Sequence, residues 1–203
     1  MNEENIDQVY KGLQFFLINS ILRMSNKYSN LYYGLTNYVM TKNTHAVIAF
    51  DFDNTITENT VKNNITGHYE YLMGTSARCN LLHKLFAYLK QRQVKLIIVS
   101  LNHSEVIEEQ LKKKDFLKYF SEIYDRNTIG LKSIKTKQKF MQLYMNMFEI
   151  MSKNCLIVDD QEDNLRNAPC MVRHINHQTG ITRNDAINIM CCFKNTYARW
   201  YGL

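Results

Sequence analysis

The chain has 203 residues, of which 45% are hydrophobic and 22% charged, with a single proline and seven glycines. This composition and length predict a folded α/β domain with one small extension, and they exclude a chain divided by flexible linkers or built from low-complexity sequence. The net charge of +6 favours anionic partners without naming them. Of the five cysteines three are scattered and two, Cys191 and Cys192, are adjacent, so they do not form metal-ligand pairs. A reducing, cytoplasmic setting is expected for such a chain.

Residues 1–44 predict an N-terminal helical extension, because apolar side chains recur at approximately helical spacing. One interpretation is that these helices pack on the surface of the chain's own domain. The alternative is a homodimer or partner surface, since a broad aromatic face left bare on a monomer would be an association site. A membrane span is not expected, because the apolar stretch from Leu13 to Leu22 is too short and is interrupted by Asn19 and Ser20.

Residues 45–203 alternate between strand-like and helix-like segments. Alternating strands and helices imply right-handed crossovers and a parallel sheet, so we expect an α/β fold with a Rossmann-like parallel sheet of about five strands flanked by helices. The predicted strands are 46–50, 95–99, a short one near Ile123, 155–158 and 171–175; the predicted helices are about 76–91, 104–113 and 136–151.

The segments between these elements are too short for a large cap domain, since an independent domain needs about 50 residues or more. A flap over Thr57 to Thr75 is the most that fits before the second strand. An open site of this kind admits bulky substrates.

Two acidic pairs directly follow predicted strands. Asp51 and Asp53 come after the apolar run 46–50, and Asp159 and Asp160 come at the end of the run 155–158. Because ligands bind at the carboxyl ends of parallel strands, we expect these carboxylates to converge. Carboxylates beside a phosphorylated substrate require a cation between them, and an all-oxygen site of this kind favours Mg²⁺.

Other polar residues suit phosphoryl transfer through an aspartate. A carboxylate can attack phosphorus, and a second one two residues later can serve as acid and base. Ser100, at the end of the predicted strand 95–99, offers a hydroxyl donor to a phosphoryl oxygen. A lysine at the start of the helix 136–151 would neutralise the charge that develops during transfer.

Four lysines lie near the right place for that role. We favour Lys137, because Phe140 and Met141 follow it as the first buried helical positions, and Lys135 is the second choice. The full set is Lys132, Lys135, Lys137 and Lys139.

Each of these features also has a simple structural interpretation. An Asp-x-Asp after an apolar run is often a surface turn, and Asp159, Asp160 and Ser100 could each serve as helix caps. Their joint appearance, each after a strand-like run, favours an active site.

The set resembles the motifs of the haloacid dehalogenase (HAD) superfamily of phosphohydrolases. Residues 51–55 (Asp-Phe-Asp-Asn-Thr) match its first motif, 96–100 its second, and 157–160 with Asn164 its fourth. The resemblance implies that Asp51 is the nucleophile and Asp53 the general acid and base. It further implies that Mg²⁺ is held by Asp51, the Asp53 carbonyl and Asp160, with Asp159 beside it. Ser100 and Lys137 would hold the phosphoryl group, with substrate contacts from Asn54, Thr55, Asn102 and Lys135.

Within the superfamily, the Asp-Asp-x-x-x-Asn stretch at 159–164 is most similar to the capless magnesium-dependent phosphatase group. This resemblance implies a Mg²⁺-dependent phosphomonoester hydrolase that forms an aspartyl-phosphate and acts on a bulky substrate such as a phosphotyrosine protein. The alternatives are a polynucleotide 3'-end phosphatase and a non-enzymatic scaffold that retains the fold. Nucleic acid is the less favoured partner, because the tyrosines cluster near the N-terminus instead of beside the basic residues 112–114.

Overall fold

The computed structural model describes residues 46–62, 69–130 and 134–193. The predicted N-terminal extension over 1–44, its role in a homodimer, and Lys132 all lie outside the described residues. No helix among the described residues is long and apolar enough to cross a bilayer.

Five parallel strands form the central sheet, which confirms the predicted α/β class and the number of strands. The strands are β1 (Val47–Phe50), β4 (Lys95–Val99), β5 (Glu122–Tyr124), β6 (Cys155–Asp159) and β7 (Met171–His174). Their order across the sheet is β5-β4-β1-β6-β7. A separate antiparallel hairpin pairs β2 (Asn59–Lys62) with β3 (Tyr69–Leu72).

Six helices accompany the strands. They are α1 (Ser76–Gln91), α2 (Ser104–Lys113), α3 (Arg126–Ile129), α4 (Lys137–Met147), α5 (Glu162–Leu165) and α6 (Arg183–Cys192), within the part of the chain that the structure describes. The apolar stripe of α1 is buried as its spacing predicts, with Leu82, Leu85 and Leu89 each at most 1% exposed.

The central strand β1 is buried on both faces, which is why its sequence is a continuous apolar run. Ile48 and Phe50 join one hydrophobic core, whereas Val47 and Ala49 join the core on the opposite face. Alternate side chains of a strand point to opposite faces, so one short strand connects both layers of the fold.

The register of the sheet brings the polar residues to one edge. Phe50 is the partner of Ile98 on β4 and of Val158 on β6. Consequently Asp51, Ser100 and Asp159, which lie at or just past the ends of three neighbouring strands, emerge at the same edge.

Some elements differ from the predictions. Helix α4 ends at Met147 instead of 151, because Phe148 caps it and Glu149 takes a positive φ of 53°. Helices α3, α5 and α6 were not predicted; the first two have only four residues each, too few for a periodic signal. Helix α6 begins with a capping box between Thr182 and Asp185.

Candidate active site

Asp51 stands where β1 ends and a tight turn begins. Its backbone N–H donates to the carbonyl of Val158 at 2.8 Å, which extends the pairing of β1 with β6 by one residue. The turn over Phe52–Ile56 contains Asn54 at φ 54°. The backbone N–H of Asn54 donates to the Thr57 hydroxyl at 2.7 Å. These contacts fix the direction in which Asp51 and Asp53 leave the sheet.

Three carboxylates converge at this edge of the sheet. Asp51, Asp159 and Asp160 each offer an oxygen, and these atoms lie within 4.8 Å of one another in buried positions. That spacing is close to the span of about 4 Å between opposite ligands of an ion coordinated at about 2.1 Å. Asp160 Oδ1 is buried without a hydrogen-bond partner among the described residues. An all-oxygen donor set with an unpartnered buried oxygen fits a hard divalent cation such as Mg²⁺.

Lys137 is the first residue of α4 and places its ammonium among these carboxylates. Its Nζ donates to Asp51 Oδ1 at 2.6 Å and to Asp159 Oδ2 at 2.7 Å, and the side chain is 4% exposed. The helix is started by Thr136, whose hydroxyl accepts the backbone N–H of Lys139. Three carboxylates and one ammonium leave an excess of two negative charges when all are ionised, which one divalent cation would balance.

The electrostatics reflect this excess of negative charge. Burial raises the pKa of Asp51 to about 7; Asp159 adds to the shift and Lys137 opposes it. Burial, with the charge of Asp159, also raises the pKa of Asp160. Burial alone would lower the pKa of Lys137, but the attraction of Asp51 and Asp159 outweighs it and raises that pKa. A cation at this position would favour the ionised carboxylates.

Asp159 is the most fully hydrogen-bonded carboxylate of the three. Its Oδ1 accepts the backbone N–H of Gln161 at 2.9 Å and the Asn164 amide at 3.0 Å, while its Oδ2 accepts Lys137. Asp159 therefore orients Lys137. Among the described residues Asp160 Oδ1 has no hydrogen-bond partner, so it is the oxygen better placed to bind a cation.

Ser100 is fully buried at the end of β4. Its backbone N–H donates to the carbonyl of Tyr124 at 2.9 Å, and its hydroxyl accepts the backbone N–H of Asn102 at 3.2 Å. Within the described residues the hydroxyl donates to no acceptor, so its proton is available to a phosphoryl oxygen.

Residues 68–169, half of the chain, match the family described as haloacid dehalogenase-like hydrolase. The chain belongs to this hydrolase family. The matched range contains Ser100, Lys137, Asp159 and Asp160 and begins after Asp51 and Asp53. None of the curated proteins matches the sequence significantly.

Several solved structures share the fold of this HAD-like hydrolase. The HAD domain of effector protein Lem4 from Legionella pneumophila, as an inactive mutant, is 18% identical with a TM-score of 0.55, covering 78% of this chain and 99% of that one. A HAD-superfamily hydrolase from Ehrlichia chaffeensis is 17% identical with a TM-score of 0.51, covering 77% and 100%. An uncharacterized protein from Corynebacterium glutamicum is 13% identical with a TM-score of 0.52, covering 73% and 95%. At these identities the likeness establishes the fold alone.

Asp53 of the HAD-like hydrolase lies beside the carboxylate cluster and not within it. Its carboxylate accepts hydrogen bonds from the Thr60 hydroxyl and the Asn102 amide, each at 3.2 Å. Burial raises the pKa of Asp53, although these hydrogen bonds oppose the shift. The side chain is therefore held outside the cluster of Asp51, Asp159 and Asp160.

The residues predicted to contact substrate are mostly engaged inside the protein. The Asn54 side chain accepts the backbone N–H of Thr60 at 3.0 Å, Thr55 is fully buried, and Asn102 contacts Asp53. Lys135 is exposed with a positive φ of 64°, whereas Lys137 is the lysine in contact with the carboxylates.

Arg78 is a site residue that the sequence analysis missed. Its two terminal nitrogens donate to the carbonyls of Thr55, Ile56, Thr57 and Met73, so the side chain ties the active-site turn to both ends of the β2–β3 hairpin. An arginine near the start of a helix carries no sequence signal for such a role, because only the tertiary structure shows which carbonyls it meets.

Proposed function

We propose that this HAD-like hydrolase is a Mg²⁺-dependent phosphomonoester hydrolase that forms an aspartyl-phosphate on Asp51. The observation that carries the proposal is the position of Lys137, whose ammonium joins Asp51 to Asp159 inside a buried carboxylate cluster. A buried cation beside a carboxylate nucleophile suits a reaction that concentrates negative charge at that point.

In the first step an Asp51 oxygen attacks phosphorus. The bond between Asp51 and phosphorus forms while the ester P–O bond breaks, and Asp53 gives a proton to the departing oxygen. Lys137 offsets charge on Asp51 and on the transferred group, and the Ser100 hydroxyl donates to a phosphoryl oxygen. Mg²⁺, held by Asp51, Asp160 and the Asp53 carbonyl, would neutralise the phosphoryl oxygens and so let the anionic substrate approach the carboxylates.

In the second step water removes the phosphoryl group. Asp53, now deprotonated, takes a proton from the water as it attacks phosphorus, and the bond to Asp51 breaks. The products are inorganic phosphate and the original carboxylate, so Asp53 ends each cycle protonated as it began.

We further propose a bulky phosphomonoester as substrate, with phosphotyrosine in a protein as the first candidate and a cytoplasmic setting. Support comes from the segment between β1 and β4, where the described residues form only the turn, the β2–β3 hairpin and α1. A site bordered by so small an insertion suits a large substrate better than a closed chamber would.

The test is a substrate panel assayed with Mg²⁺ and with EDTA. It contains a phosphotyrosine peptide, a phosphoserine peptide, sugar phosphates, nucleotides and 3'-phosphorylated oligonucleotides. We expect Mg²⁺-dependent phosphate release that is strongest for the phosphotyrosine peptide. Faster phosphate release from the 3'-phosphorylated oligonucleotides would instead support a polynucleotide 3'-end phosphatase. No phosphate release from any compound would favour a non-enzymatic scaffold.

Asp51→Asn tests the nucleophile directly. The amide cannot attack phosphorus, so we expect kcat to fall about 10⁴-fold or more, with no phosphate bound covalently to the denatured protein. Asp115→Asn is the matched control, because Asp115 is exposed and forms an ion pair with Lys118 on the surface. Unchanged turnover in Asp51→Asn would overturn the mechanism.

A further inference from the structure

The β2–β3 hairpin presents two hydroxyl groups towards Asp53. Thr60 on β2 and Tyr71 on β3 are direct cross-strand partners. Partners in an antiparallel pair point to the same face, so both side chains lie on the inner face of the hairpin. Val61 and Leu72 belong to the opposite face and are 41% and 46% exposed.

One of the two hydroxyls contacts Asp53 directly, and the other is connected to it through Asn102. The Thr60 hydroxyl donates directly to Asp53 Oδ1 at 3.2 Å. The Asn102 amide donates to both Asp53 oxygens at 3.2 Å and to the Tyr71 hydroxyl at 2.9 Å. Tyr71 therefore acts on Asp53 through Asn102, which comes from the loop after β4.

This arrangement makes the two oxygens of Asp53 unequal. Oδ1 accepts from both Thr60 and Asn102, whereas Oδ2 accepts from Asn102 alone among the described residues. The oxygen with fewer donors is the better place for a proton. Oδ2 is thus the atom from which Asp53 can give a proton to a leaving oxygen.

The inner face of the hairpin is itself held in place. The backbone N–H of Thr60 donates to the Asn54 side chain at 3.0 Å. The Tyr71 ring packs against Phe52, with ring centroids 5.8 Å apart. Arg78 donates to Ile56 at 2.8 Å and to Met73 at 2.9 Å, and these carbonyls lie just outside the two strands.

We infer that Thr60 and Tyr71 are positioning residues that orient Asp53 for protonation of the leaving group, Thr60 directly and Tyr71 through Asn102. The inference rests on the proposed phosphomonoesterase activity. Its consequence is selective: the hairpin matters most for substrates whose leaving oxygen needs a proton as the P–O bond breaks. A leaving group that departs as a stable anion needs no such help.

Two substrates that differ in this respect give the test. An alkyl phosphate releases an alkoxide that must be protonated, whereas 4-nitrophenyl phosphate releases a stabilised phenolate. Thr60→Val removes the direct donor, and Tyr71→Phe removes only a hydroxyl and keeps the ring. The measured quantity is kcat/KM, which reports the steps up to departure of the leaving group and excludes the hydrolysis of the aspartyl-phosphate that both substrates share. For the alkyl phosphate we expect kcat/KM to fall about 10- to 100-fold in Thr60→Val, which loses a hydrogen bond to a carboxyl group, and about 3- to 10-fold in Tyr71→Phe. The kcat/KM for 4-nitrophenyl phosphate should change less than about twofold, because its leaving group needs no proton.

Controls separate positioning from general damage to the hairpin. Thr60→Ser keeps the hydroxyl and should restore most of the kcat/KM for the alkyl phosphate. Val61→Thr changes a neighbouring exposed side chain on the outer face and should leave both substrates unaffected.

Equal losses of kcat/KM for both substrates, or no loss for the alkyl phosphate, would overturn the inference while leaving the proposed function intact. A wild-type protein that hydrolyses neither substrate with Mg²⁺ would overturn the proposed function, and the inference with it.

Discussion

Lys137 Nζ lies 2.6 Å from Asp51 Oδ1, although 86 positions separate the two residues in sequence. The contact exists because β1 and the start of α4 meet at the carboxyl edge of the sheet. It places the buried ammonium of Lys137 beside Asp51, the residue proposed to attack phosphorus. The same ammonium also contacts Asp159, so one lysine links two strand ends.

Replacing Lys137 with methionine should reduce both stability and turnover. The change removes the only ammonium in contact with the buried carboxylates among the described residues and leaves their charges uncompensated. We expect the metal-free protein to lose about 3 kcal/mol or more of unfolding free energy and kcat to fall about 100-fold or more. Urea unfolding and steady-state assays measure the two effects. Lys139→Met, an exposed position two residues later, should be close to neutral; equal effects of both substitutions would contradict the assignment.

Mg²⁺ should stabilise the folded protein through Asp160. At a concentration 100 times its Kd, an ion that binds only the native state adds about 2.7 kcal/mol, visible as a rise in Tm. In Asp160→Asn this rise should largely disappear, while the metal-free protein keeps its stability, because burial raises the pKa of Asp160 and its ionised form is costly without a cation. Asp163→Asn, an exposed position nearby, serves as the control and should keep the full rise. Retention of the rise in Asp160→Asn would place the ion elsewhere.

Asp185 should make stability depend on pH in the acidic range. Burial raises the pKa of this carboxyl, but hydrogen bonds from Thr182 and Arg173 outweigh burial and bring it below its usual value. The Thr182 hydroxyl and Arg173 Nη2 each donate at 2.6 Å. A lowered pKa means that the contribution is present above the unfolded pKa of about 3.9 and is lost as pH falls through the folded value.

Asp185→Asn should therefore cost about 1–2 kcal/mol at pH 7. At about pH 3, below the unfolded pKa, the difference from wild type should become smaller. Urea unfolding at the two pH values measures this change, with the exposed Asp115→Asn as a reference. A difference that stays constant between the two pH values would show that ionisation of Asp185 does not contribute.

Gly180→Ala should destabilise the fold through the active-site turn. Gly180 has a φ of 57°. A Cβ added there would lie 2.5 Å from the Thr57 carbonyl oxygen and would also clash with the Arg78 side chain. We expect a loss of about 1–3 kcal/mol, measured as a lower urea midpoint with an unchanged m-value. The exposed Gln178→Ala is the control. An unaltered midpoint in Gly180→Ala would mean that the turn and the 176–182 loop can separate without cost.

The sequence by itself determined which segments are buried strands and where their polar ends lie. Apolar runs ending at Asp51, Ser100 and Asp159 predicted three parallel strands, and the structure shows that β1 pairs with both β4 and β6. Burial on both faces makes every residue of such a strand apolar, so a continuous apolar run is sufficient to find it. The short helices and the β2–β3 hairpin carry no comparable pattern, because most of their residues are polar or half-buried.

Only the tertiary structure decided which side chains meet. Among the lysines around the start of α4, Lys137 is buried against Asp51 while Lys135 and Lys139 are exposed, a difference of two residues along the chain. Asn102, a residue predicted to contact substrate, also joins Asp53 to Tyr71. Such contacts depend on distances between elements remote in sequence, and the local pattern that specifies each strand or helix contains no information about those distances.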